Sequence, residues 1–135
     1  MKKIFLMVGG LILILGIMAL PRLYSKEAKN IFKIGKVGDF PIGAIQLVTP
    51  AKALVIRDTE GIYAISAVCT HLGCLIREKK GMLACPCHGA QFDLTGKVLK
   101  GPARDNLVWY AVEMDTMGNL TVDTNQTVPS GSKLS

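Results

Sequence analysis

The chain is 135 residues long, half of them apolar, with a formal charge of +6. A chain this short holds one small domain, and its basic residues are spread out rather than clustered with aromatics, which gives nucleic-acid binding no support. No internal repeat, phosphate-binding glycine loop or Ser/His/Asp arrangement is present, and much of the apolar content lies at the amino end, so the composition describes one membrane segment followed by one compact domain.

After Met1-Lys2-Lys3 comes an uncharged run from Ile4 to Leu20. Its 17 residues would make a helix of roughly 25 Å, slightly under the ~30 Å hydrocarbon core, with Lys3 and Arg22 snorkelling to close the gap. A cleaved secretory signal is the competing reading, but its apolar region is usually shorter, about 7 to 15 residues. Ile17-Met18-Ala19-Leu20-Pro21 also makes a poor small-x-small cleavage site. Residues 1–20 are therefore expected to be a retained single-pass anchor in the cell membrane. Lys2 and Lys3 would hold the amino terminus in the cytoplasm, leaving the domain on the periplasmic or extracytoplasmic side. Pro21 stops the helix, and the polar, charged residues 21–30 read as a tether reaching at most about 33 to 36 Å.

From Ile31 the pattern changes to short β-branched or aromatic segments: Ile31–Ile34, Ala44–Val48, Lys52–Ile56, Ile62–Ile65, Gly81–Ala84, Gln91–Phe92, Lys97–Leu99, Leu107–Val112 and Asn119–Val122. Asp58-Thr59-Glu60-Gly61 reads as a hairpin turn. No segment after Leu20 keeps a helical period, so residues 31–123 are expected to form an antiparallel all-β domain with its loops carrying the chemistry. Residues 124–135 are too polar to bury and read as a loose tail or partner-binding segment.

All four cysteines and both histidines fall in two short boxes, Cys69-Thr70-His71-Leu72-Gly73-Cys74 and Cys85-Pro86-Cys87-His88-Gly89-Ala90. Thiolate and imidazole ligands so grouped mean a metal site or a disulfide pair, and six such side chains exceed what one tetrahedral ion takes. The Cys69-x-His71 and Cys85-x-x-His88 pairs can each bring one sulfur and one nitrogen to a common centre from a tight loop. Cys74 and Cys87 are left over, one in each loop, which suggests four ligands and one staple. Zinc would want C-x-x-C spacings and leave two thiols without purpose, and a purely disulfide framework would not need both histidines.

The two boxes resemble those of the Rieske iron-sulfur proteins, in which two His replace two Cys on one iron of a 2Fe-2S cluster. The resemblance covers about residues 4 to 123 and implies a Rieske-type antiparallel β-sandwich with a cluster-binding subdomain, preceded by one transmembrane helix. It implies one 2Fe-2S cluster, with Cys69 and Cys85 on one iron and His71 and His88 on the other. It also implies a Cys74–Cys87 disulfide, which would persist in an oxidising compartment. Gly73 and Gly89 would allow tight turns and close approach of backbone N–H groups to sulfur. Leu72 would form an apolar docking tip beside the imidazoles. Gly101-Pro102-Ala103 resembles the loop that covers the cluster from a third side, with Arg104 standing where another Pro is usual. High-potential members carry a Ser and a Tyr, donors to a bridging sulfide and a ligand thiolate, where this chain has Ala90 and Phe92.

Two ferric ions, two sulfides and two thiolates sum to about zero with neutral imidazoles, against about minus two for four thiolates. The mixed set accepts an electron more easily, which raises the potential into a class range of roughly −150 to +300 mV. Reduction also restores basicity to the imidazoles of His71 and His88, so electron uptake can carry a proton. The resemblance thus implies an electron-transfer subunit of a cytochrome bc or b/f-type quinol oxidoreductase, not a complete enzyme alone, with a cytochrome b subunit and a c-type cytochrome as partners. The missing donors at Ala90 and Phe92 place the potential low in its class and point to menaquinol. A small Rieske subunit of a molybdenum oxidoreductase such as arsenite oxidase is the alternative reading. Cys74, Cys87 and the apolar amino end oppose a soluble Rieske ferredoxin feeding an oxygenase.

Overall fold

The computed structural model describes residues 30–135. The anchor expected over residues 1–20 and all but the last residue of the tether expected over 21–30 lie outside them, and no helix among the described residues is long and apolar enough to cross a membrane. The described chain is all-β. A six-stranded antiparallel sheet has the order β1 (Ile31–Lys36), β10 (Asn119–Val128), β9 (Trp109–Met114), β4 (Ile62–Ser66), β3 (Ala53–Arg57), β2 (Ile45–Val48). A smaller sheet, β5 (Arg77–Lys79), β6 (Met82–Ala84), β7 (Gln91–Phe92), β8 (Val98–Lys100), is inserted between β4 and β9.

The neighbouring strands β3 and β4 are buried on both faces, which is why they read as continuous apolar runs without alternation. Leu54, Ile56, Tyr63 and Ile65 face a core shared with Leu83 and Phe92 of the small sheet. Their neighbours Ala53, Val55, Ile62 and Ala64 face a second core with Phe40, Leu120 and Val122. Phe32 and Ile34 from one edge strand and Val48 from the other pack on that same second core, so the large sheet curls over itself. The sandwich expected from the sequence is therefore one curled sheet with a smaller sheet against its other face.

Two aromatic side chains peg the sheets together. Tyr63 and Trp109 stack with ring centroids 4.5 Å apart, and their polar tips reach the turn after β7, Tyr63 Oη donating to Leu94 O at 3.0 Å and Trp109 Nε1 to Thr95 O at 2.8 Å. Asp93 shapes that turn by accepting from Thr95 Oγ1 and from the N–H groups of Thr95 and Lys97. Burial opposes ionisation of Asp93, but these donors hold its carboxyl below the ordinary range.

The strand expectations hold closely in the large sheet and miss in two places. β5 is exposed along its whole length and carries only Arg, Glu and Lys, so nothing in its composition marks a strand; pairing with β6 makes it one. The loose tail expected over 124–135 is corrected: β10 continues to Val128, pairing Thr127 with Tyr110 and Val128 with Trp109 after an irregularity in the ladder. Beyond it Leu134 and Ile62 exchange both backbone hydrogen bonds at 2.8 Å, and Lys133 pairs with Asp58 and Glu60 while lying 5.3 Å from the Tyr63 ring centroid. Polar side chains do not prevent a segment from pairing its backbone with an open strand end, and here one leucine supplies the apolar contact. At the start of the described residues Asn30 donates to Asn125 Oδ1 at 2.7 Å.

Candidate metal centre

The two boxes are the links β4 to β5 and β6 to β7, so both emerge from the same end of the domain. They are built alike. Cys69 N–H donates to Cys74 O at 2.8 Å and Gly73 N–H to Cys69 O at 2.9 Å; Cys85 N–H donates to Ala90 O at 2.8 Å and Gly89 N–H to Cys85 O at 3.1 Å. Each loop is a six-residue turn with Cys first and Gly fifth, and both glycines have φ in the left-handed region, +78° and +74°. A Cβ at either would meet no atom within 4 Å, so glycine is required by backbone conformation rather than by close packing.

This shared geometry sends the two leading thiols inward. Cys69 and Cys85 are buried in the core under the small sheet and are unbonded, with their sulfurs within hydrogen-bond reach of each other. Burial pushes the Cys69 thiol up, the neighbouring Cys85 adds to that, and the backbone N–H groups of His71 and Leu72 oppose it. Those N–H groups favour a thiolate, and a metal binding here would displace the thiol protons. Cys74 and Cys87 form a disulfide across 13 positions of sequence. Closing a loop of that length contributes about 3 kcal/mol in the chain-entropy account. The sulfurs of Cys74, Cys85 and Cys87 lie within 4.8 Å of one another, but two of them are the bridge, so this trio offers one thiol and not three.

The imidazoles of the two loops meet each other. The rings of His71 and His88 are 4.9 Å apart at 87°, edge to face. His88 is exposed, whereas Nδ1 of His71 is buried with no hydrogen-bond partner. A buried ring nitrogen left unpaired costs about 1–3 kcal/mol, which a coordinated metal would remove. Two buried thiols and an orphaned imidazole nitrogen fit a mixed sulfur and nitrogen donor set.

The surroundings follow the expectations in part. Leu72 is 69% exposed beside the histidines. Ala90 and Phe92 are fully buried against Cys69 and Cys85. Pro102, after a cis Gly101–Pro102 peptide, lines a shallow cavity with Thr70, His71, Arg104 and Asp105. The loop is fastened to the first box by Thr70 Oγ1, which donates to Asp105 O at 2.7 Å. Thr70 and Asp105 were not singled out from sequence; a hydroxyl residue between two ligating types was the available signal.

A pair of buried, unbonded thiols and two imidazoles in contact, on two loops held by a disulfide, define a small all-β protein made to carry a redox metal centre. Residues 30–116 match the Rieske 2Fe-2S domain. The chain belongs to the Rieske family and carries a single Rieske 2Fe-2S cluster. It is 33% identical over 124 residues to the cytochrome b6-f complex iron-sulfur subunit of Chlorobaculum tepidum, covering 85% of this chain and 68% of that one. It is 40% identical over 82 residues to the subunit of the same name from Prochlorococcus marinus, covering 55% of this chain and 46% of that one. Among solved structures, a chain of a hyperthermophilic respiratory Complex III superposes with a TM-score of 0.57 at 25% identity, over 84% of this chain and 96% of that one. The chain thus spans about two thirds of one such curated relative and under half of the other.

Proposed function

We propose that this chain is the electron-transfer subunit of a cytochrome bc or b6-f type complex, taking an electron and a proton from quinol and passing the electron to a c-type cytochrome. The observation that carries the reading is the buried, unbonded pair Cys69 and Cys85 together with a buried and unpartnered His71 Nδ1 on the same loop as Cys69. The likeness over most of the chain to b6-f iron-sulfur subunits supports the choice of complex. In this reading Cys69 and Cys85 would hold one iron and His71 and His88 the other. When bound, the cluster supplies a one-electron centre of near-neutral charge. The chain's own residues do the rest. His88, exposed at the rim, offers its ring to a quinol oxygen and takes the proton, the buried thiols exclude water, and Leu72 gives the approaching partner an apolar contact. Menaquinol is the proposed donor, because Ala90 and Phe92 cannot stabilise added negative charge.

Single replacements test the ligand set. Cys69→Ser, His71→Ala, Cys85→Ser and His88→Ala should each abolish the reduced-state EPR signal, while Cys74→Ser or Cys87→Ser should leave a weaker, less stable one. A native spectrum at full occupancy in His71→Ala would show the ligand set to be wrong. The proposed location is the cell membrane, through a single N-terminal span with the domain outside. The full chain should then stay in the membrane fraction through alkaline-carbonate extraction, and its release would remove the anchor.

A further inference from the structure

The small sheet has a second face, turned away from the shared core. In the β5–β6 register Arg77 opposes Ala84 and Lys79 opposes Met82, and Gln91 of β7 continues the row beside Ala84. Leu83 and Phe92 take the inner face. The outer row floors a cavity of about 570 Å3 whose wall is the second box, at Cys85, Pro86 and Gly89, and whose rim is Arg77, Lys79 and Lys80. One end of this groove is therefore the backbone of a cluster-binding loop, and its rim is cationic.

The charge is local. From Arg77 to Arg104 the chain has six cations against two anions, Glu78 and Asp93, while the other described residues carry five cations against seven anions. Glu78, the one acid at the groove, accepts from Gly81 N–H at 2.7 Å and so caps the hairpin turn. Among the described residues Lys133 makes the only ion pairs, which leaves Arg77, Lys79 and Lys80 without a carboxylate partner. Lys80 also occupies a left-handed position, φ +56°, directly before Gly81 at +78°. Asn or Gly fills that position of a two-residue turn more readily than Lys does.

We propose that this groove docks an acidic surface segment of a protein that exchanges electrons with the cluster. The inference rests on the electron-transfer reading and adds where, and by what chemistry, the protein partner is recognised. A partner seated there touches the second box directly, so the same contacts that recognise it bring it to the redox centre.

The test uses the full chain in detergent with its cluster. The probes are a c-type cytochrome of basic surface and the same cytochrome with its lysines succinylated. At about 10 mM ionic strength, where the screening length is ~30 Å, the succinylated form should bind more tightly and oxidise the reduced protein about tenfold faster than the basic form. The combined R77Q/K79Q/K80Q variant should bring that preference close to unity with an unchanged EPR signal. K33Q/K36Q/K52Q, on the other sheet and its loops, should keep it. Equal loss in both triples, or no preference in the wild type, overturns the proposal. Vesicles containing anionic phosphatidylglycerol should bind the wild type and the Arg77 triple alike; loss of vesicle binding with retained cytochrome preference makes the groove a lipid site and also overturns it. Binding preference without oxidation by either cytochrome would instead remove the electron-transfer reading and leave the groove standing.

Discussion

Ala90 and Phe92 lie in the core that also holds Cys69 and Cys85, and neither side chain can donate a hydrogen bond. A donor at these positions would stabilise the reduced centre more than the oxidised one, because reduction adds negative charge. With a differential of about 1 to 2 kcal/mol each, Ala90→Ser and Phe92→Tyr should each raise the potential by roughly 40 to 90 mV for one electron. Redox titration of the wild type, both singles and the double measures it, and unchanged or lowered potentials in both singles would discard the account. His71 makes the contrasting point at this scale. To what the boxes imply for it the structure adds one orphaned atom, Nδ1, buried without a partner where the ring of His88 is exposed, a difference that no pattern in the sequence marks.

At the scale of elements, the end of the chain acts as a strap over the β3–β4 hairpin. Asp58 Oδ1 accepts from the N–H groups of Glu60 and Gly61 to set the turn, and Leu134 then closes over Ile62. A Cβ on Gly61 would come within 2.4 Å of Leu134 O, a backbone atom that cannot swing away. Gly61→Ala should therefore cost about 1–3 kcal/mol, read as a lower denaturation midpoint. In a chain lacking residues 132–135 the same substitution should cost less, because the obstructing carbonyl is gone and only the backbone strain at φ +155° remains, and equal costs in both backgrounds would show that the strap is not what constrains Gly61.

Among the described residues three carboxylates are held below their ordinary range, and they set the acid side of the domain's stability. The Lys133 ammonium beside Asp58 lowers its pKa, the Asn119 side chain lowers that of Asp115, and Asp93 is held low by its turn donors against the effect of burial. A carboxylate depressed in the folded state contributes stability above its unfolded pKa of about 3.9 and loses it as pH falls through the folded value. Lys133 is raised by Asp58 and Glu60, so its contribution is complete below about pH 10.4 and is lost only as pH rises beyond that. Stability of the domain should thus be flat across neutral pH and fall below about pH 4. Urea midpoints from pH 3 to pH 8 check this, and Asp93→Asn should have a shallower acid slope; identical slopes would remove Asp93 from the set.

Several features were settled by residue type and spacing alone. Four thiols and two imidazoles in two boxes, Gly in the fifth place of each, and short β-branched runs between turn residues determine a sulfur-and-nitrogen site and an all-β domain, because donor chemistry and left-handed backbone are local requirements; the cluster type came from the family resemblance. The tertiary structure decided what depends on partners distant in sequence. Arg77–Lys79 is a strand only because β6 lies beside it, and Leu134 is held only because Ile62 offers an open backbone. Tyr63 and Trp109 become pegs only where Leu94 and Thr95 turn their carbonyls toward them. The inward aim of Cys69 and Cys85, with Cys74 and Cys87 left to meet each other, comes from two similar loops facing across one core. Pairing and burial are properties of the neighbour as much as of the residue, so they exist only once the chain has folded.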